Sequence, residues 1–169
     1  MADAATMTIK AVILPDDIQK IFKDLTFSYT PANSSEKWFY GLLNVQTSST
    51  NLISGNFIET VTSAGRTAGG TPDSIATTDK VKFLFIKNTG TKDGTATTSP
   101  AESVYLVTNG EVVAHSSTFA IEIGPEESWY AKLPNTTVGD LNVISGDING
   151  GSSGNFAIQC IVAAIIDDL

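Results

Sequence analysis

The chain reads as all-β: an antiparallel β-sandwich, jelly-roll-like, with at most one short helix near its start. Three observations lead there. Residues 80–133 alternate strand-like apolar runs with turn residues, and no helical period appears among them. Asn109-Gly110 stands between residues 103–108 and 111–114, which is the pattern of a two-residue hairpin; its type I′ turn needs positive φ at both central positions. Residues 156–166 are apolar at nearly every position, so a strand there needs both faces covered, either at the centre of a sandwich or against another subunit.

Taken in order, residues 1–13 carry mixed signals. Pro15-Asp16-Asp17 suits the first turn of a helix, and Ile18, Ile21, Phe22 and Leu25 follow at helical spacing, so residues 15–25 are the one helix expected. Residues 25–29 alternate as a strand until Pro31, residues 37–45 form an aromatic-rich strand, and residues 56–61 form another. Gly65, Gly69, Gly70 and Pro72 punctuate a long loop over residues 63–79. Residues 81–87 make a strand that stops at Asn88-Thr89-Gly90. Phe119, Ile121 and Ile123 share one face of a half-buried strand while Glu122 points out, and Gly124-Pro125-Glu126-Glu127 turns the chain. Trp129, Ala131 and Leu133 then alternate with Tyr130 and Lys132 until Pro134-Asn135 breaks the run. Residues 140–144 read as a strand and residues 146–154 as a Gly/Ser/Asn loop. The expected organisation is an N-terminal arm with a short helix over residues 1–25 and a single β-sandwich domain over residues 26–169.

Composition narrows the function. The 169 residues are 41% hydrophobic, enough for one real core. Only 17% are charged, and Ser/Thr clusters such as residues 46–50 and 95–99 supply the polar surface instead. The formal net charge is −8 and Arg66 is the only arginine, so neither a nucleic acid nor an anionic membrane surface is an expected partner. The first residues show no basic n-region followed by an apolar h-region, and no stretch reaches the length of a membrane span. Synthesis in a reducing cytoplasm is the expectation, which leaves the sequons at Asn33 and Asn135 without meaning as glycan sites. Cys160 has no cysteine to pair with and lies in an apolar run, so a buried small hydrophobe is expected.

Most chemistry fails on inventory. His115 is the only histidine, and no Gly-x-Ser-x-Gly elbow accompanies it, so no triad and no zinc site is expected. Asp147-Ile148-Asn149-Gly150 faintly resembles the start of a calcium loop, but Ile158 stands where the closing glutamate belongs. Glu126-Glu127 and Asp167-Asp168 are neighbours, which point to opposite faces of a strand and make poor acid/base couples. Residues 65–70 lack the Gly-Lys-Ser/Thr of a phosphate loop. Trp38-Phe39-Tyr40 is expected to split between core and interface, with a stacking platform for a sugar as the rival reading. No catalytic, cofactor-binding or metal-binding residue is expected, and the chain is read as no enzyme.

Two segments carry a resemblance. Residues 80–90, Lys-Val-Lys-Phe-Leu-Phe-Ile-Lys-Asn-Thr-Gly, and residues 123–134, Ile-Gly-Pro-Glu-Glu-Ser-Trp-Tyr-Ala-Lys-Leu-Pro, resemble small virion structural proteins of tailed bacteriophages. The likeness spans about residues 80–146, and its motifs are strand and turn signals. It implies a non-enzymatic shell or tail part with a jelly-roll-like body. The favoured member is a capsid decoration (cement) protein, a homotrimer seated on the major capsid protein of a virion assembled in the host cytoplasm. A neck, tail or baseplate part is the nearest alternative, and a glycan- or receptor-binding sandwich the next.

Overall fold

The computed structural model describes residues 5–9, 25–33, 35–57, 73–92, 102–111, 120–147 and 157–169. It divides into two compact units, Met1–Ser34 and Ser35–Leu169. In the first, β1 (Ala5–Ile9) pairs antiparallel with β2 (Leu25–Tyr29). The strand expected at residues 25–29 therefore belongs with β1, and the division falls after residue 34 instead of residue 25. The expected helix over residues 15–25 lies outside the described residues except for Leu25, which opens β2.

The second unit is a sandwich of two four-stranded antiparallel sheets. One sheet runs β3 (Glu36–Val45), β10 (Ile158–Asp167), β5 (Lys80–Asn88), β8 (Ser128–Thr137). The other runs β4 (Thr50–Asn51), β9 (Asn142–Asp147), β6 (Glu102–Val107), β7 (Ile121–Ile123). The pairings nest: β3 with β10, β4 with β9, β5 with β8, and β6 with β7. That is one long antiparallel ribbon whose tip is the β6–β7 connection. Rolling the ribbon brings β10 beside β5 and β9 beside β6, which is the winding of a jelly roll. Connections after β3, β5, β7 and β9 leave at one end, and those after β4, β6 and β8 at the other.

Between the sheets lies one core. Leu84 and Ile86 of β5 and Cys160, Val162 and Ala164 of β10 face Val104 and Leu106 of β6, Ile123 of β7 and Val143 of β9. Burial follows the pleat, since alternate residues of a strand share a face. Asn88 is the polar tie within this core. Its amide donates to the carbonyls of Glu102 and Ile123, both at 3.1 Å, and its side-chain oxygen accepts from the Gly90 amide at 2.8 Å. One side chain thus joins β5 to two strands of the opposite sheet.

Three turn readings need correction. β6 returns through β7 in the register Val104↔Ile123, not through a tight Asn109-Gly110 hairpin. Gly110 does sit at φ +78°, but Asn109 is not among the described residues with positive φ, so the type I′ condition fails at one of its two positions. The Gly110 amide is instead held by the carbonyl of Asp140 at 3.0 Å. The return strand expected over residues 112–114 lies outside the described residues. Pro134-Asn135 does not end β8, which continues to Thr137. β8 is an edge strand, and its register with β5 slips between Val81 and Phe83, opposite this proline, where no ladder hydrogen bond is lost. The chain then makes a single 3-10 turn, Val138–Asp140, before β9, with the Asp140 carboxylate accepting from both the amide and hydroxyl of Thr137 at 2.9 Å. Gly146 lies inside β9, and the loop expected from it begins later. Of the strand expected at residues 56–61, the described part is an isolated bridge from Asn56 to Ser74.

Candidate interaction surface

The side of the β3–β10–β5–β8 sheet turned away from the core carries the chain's unusual chemistry. The pleat and registers place Trp38, Tyr40 and Leu42 of β3 there, beside Ile165, Ala163 and Ile161 of β10, Phe83 and Phe85 of β5, and Tyr130 of β8. Ile165 and Phe83 are buried, whereas Tyr40 is 56% exposed and Leu42 62% exposed. Besides Leu169, these two are the large hydrophobic side chains that stand in solvent among the described residues. Contiguous apolar exposure of this kind marks sites of association. Polar groups rim it: Asn44 and Gln159 at one end, Ser128, Lys132 and Lys87 along the β8 side, and the Lys82–Asp167 ion pair at 3.0 Å at the other end.

Trp38-Phe39-Tyr40 splits as alternation requires. Phe39 enters the core, its ring below Gly41, while Trp38 and Tyr40 take the outer face. Next to this face, where β3 begins and β10 ends, Lys37 holds two carboxylates: Asp73, and Asp168 at 2.6 Å. Its ammonium also lies 5.2 Å from the centre of the Phe57 ring. The hydrogen bond that Lys37 donates to Asp168, then the one it donates to Asp73, raises the Lys37 pKa; the latter bond holds the Asp73 carboxyl below its ordinary value. Asp79 is buried nearby; its carboxylate accepts from the Ala76 amide at 2.8 Å and from that of Leu169 at 3.4 Å. These contacts fasten the last residues of the chain to the strand entries. They read as structure, not as acid/base machinery.

Other residues singled out in the sequence fall elsewhere. Cys160 is fully buried, and burial pushes its thiol up to about 12. His115 and the Asp147–Gly150 segment beyond Asp147 lie outside the described residues, as does the 63–79 loop up to residue 72. Glu127 folds back to accept from the Gly124 amide at 3.0 Å, while Glu126 takes the left-handed turn position at φ +64°. Asp167 and Asp168 go to different lysines, so the pair is divided as expected. Among the described residues no group of three or more His, Cys, Asp or Glu is placed to hold a metal ion. Sequence reasoning missed the outer apolar face, because its members come from four strands spread over most of the chain. The doubly apolar run at residues 156–166 and the Trp38-Phe39-Tyr40 triplet were its visible signals.

No family model, no curated protein and no solved structure matches this chain.

Proposed function

We propose that the protein is a non-enzymatic structural component of a virion, and within that class a capsid decoration (cement) protein that stabilises the head. The observation that carries the reading is the outer apolar face, with Tyr40 and Leu42 in solvent on a sheet whose other side already has a complete core. A face of that kind gains by being covered, at about 25 cal/mol for each Å² of apolar area removed from water. The jelly-roll winding supports the reading at the level of architecture, since capsid domains use it, as do lectins. The acidic net charge of −8 suits a protein that sits outside a nucleic-acid-filled shell without binding the polyanion. Its partners in this reading are other copies of itself, three being the number the bacteriophage resemblance implies, and the major capsid protein.

The test is co-sedimentation with intact particles, followed by copy number from quantitative mass spectrometry. Decoration requires hundreds of copies in each particle, whereas a neck, tail or baseplate part requires tens or fewer. Particles free of the chain overturn the virion reading. A sugar-binding module is the second reading, favoured by Trp38 and Tyr40 side by side on the outer face. A glycan array probed with wild type and with Trp38→Ala separates it: binding that the substitution abolishes supports the module, and silence across the array removes it.

A further inference from the structure

We infer that Lys37 is a salt-sensitive clasp through which Asp168 and Leu169, the residues that follow β10, strap down the segment 73–79, so that strap and segment loosen together. Lys37 lies near the start of β3, with its backbone opposite Ile166 of β10. Its ammonium holds the Asp168 carboxylate at 2.6 Å and the Asp73 carboxylate, across 131 and 36 residues of sequence. It also stands 5.2 Å from the centre of the ring of Phe57, a buried member of the core. Asp73 closes a small stem. The Phe57 amide donates to the Asp73 carbonyl and the Ile75 amide to the Gly55 carbonyl, both at 2.9 Å, around the bridge between Asn56 and Ser74. The far end of the segment is held as well: the Asp79 carboxylate accepts from the Leu169 amide at 3.4 Å and from the Ala76 amide at 2.8 Å. Asp168 and Leu169 thus reach both ends of residues 73–79, one through Lys37 and one directly.

The strength of these contacts makes the strap a movable part. The side chains of Lys37, Asp73 and Asp168 are 32%, 53% and 31% exposed, so water and salt screen both ion pairs and each is weak. The other side of the segment is tied by backbone bonds that salt does not screen: the Val138 amide donates to the Asp79 carbonyl at 2.8 Å and the Gly139 amide to the Thr77 carbonyl at 2.9 Å. Loosening is therefore one-sided, and it belongs to the low-stability end of the molecule's local openings. The coupling comes from the lysine. Ordering its long, flexible side chain costs conformational entropy, and one ordering serves both carboxylates. Losing either carboxylate leaves the other to bear that cost alone, so the ammonium leaves it more often. Linkage makes the effect reciprocal between the strap and the stem. Opening lifts the ammonium off the Phe57 ring, which puts the cover of one core aromatic under ionic control.

Native-state hydrogen exchange on the full chain, resolved amide by amide by NMR, tests this. Asp168→Ala is expected to speed exchange at the Phe57 and Ile75 amides by about two- to fivefold, although neither amide touches Asp168. Asp73→Ala is expected to do the same at the Asp168 and Leu169 amides. The Leu52 amide, bonded to the Leu141 carbonyl away from the strap, is the control and keeps its rate. Asp168→Asn and Asp73→Asn stand in should either alanine variant not fold. In wild type, 1 M salt is expected to speed both sets of amides; in Lys37→Met both are already fast, and salt adds nothing. Substitutions that each act only on their own side overturn the coupling. An equal salt response in wild type and Lys37→Met overturns the clasp. None of these outcomes depends on the virion reading, since particles lacking the chain would leave the strap intact.

Discussion

Asn88 shows how much one side chain decides. It donates to two carbonyls, one on each of two strands across the core, and accepts from the Gly90 amide. Asn88→Ala is expected to cost about 2–4 kcal/mol, since three buried hydrogen bonds are lost at about 1 kcal/mol each; urea denaturation measures it. Cys160 makes the opposite point. Its thiol, pushed up to about 12 by burial, stays protonated and covered at neutral pH, so alkylation is expected only at the rate of unfolding. Mass spectrometry across a denaturant series checks this. The two were not equally legible in the sequence. The isolated cysteine in an apolar run announced its burial, whereas Asn88 looked like plain turn punctuation, because its partners are distant in the sequence. Lys37 adds a pH dependence. Asp73 has a lowered folded pKa, so its contribution is full above its ordinary value of about 3.9 and is lost as pH falls through the folded one. Lys37 has a raised pKa, so its share holds below about 10.4 and fades as pH rises through the folded value. Lys37→Met is expected to flatten the acid limb of thermal stability against pH.

At the scale of elements, position within the sheet outweighs residue type. Leu84 and Leu42 are both strand leucines, one fully buried in the core and one exposed on the outer face. Leu84→Ala is expected to cost about 2–5 kcal/mol, and Leu42→Ala within about 0.5 kcal/mol; thermal denaturation of the pair measures the contrast. The 3-10 turn before β9 depends on close backbone approach: a Cβ on Gly139 would stand 3.1 Å from the Thr77 carbonyl oxygen. Gly139→Ala is expected to destabilise by about 1–3 kcal/mol through overpacking. Most strands were legible from alternation and turn residues, β5, β6 and β7 most plainly. Pro134 misled because its tolerance depends on lying at a sheet edge beside a slipped register, which no local pattern displays. Asn109-Gly110 misled for a similar reason: β6 found better partners in β7 and β9, and the dipeptide served the Asp140 turn instead.

For the whole molecule, the ribbon that rolls into two sheets joins strands far apart in sequence, β3 with β10 above all. Such non-local pairing makes loop closure costly before contacts reward it, so folding is expected in milliseconds to seconds or slower, as stopped-flow fluorescence of Trp38 and Trp129 would report. The amino-acid order by itself determined the class: alternation at period two, closely spaced turn residues and one doubly apolar strand leave an antiparallel sandwich as the arrangement that buries those faces. It also determined the hidden cysteine and the acidic, hydroxyl-rich surface. Only the tertiary structure decided which strands stand at the sheet edges among the described residues, and that Tyr40 and Leu42 stand in solvent on the face turned away from the core. The physical reason is range. A pleat is set by neighbours two residues apart, whereas an edge or an exposed face exists only once strands more than a hundred residues apart, such as β3 and β10, have met.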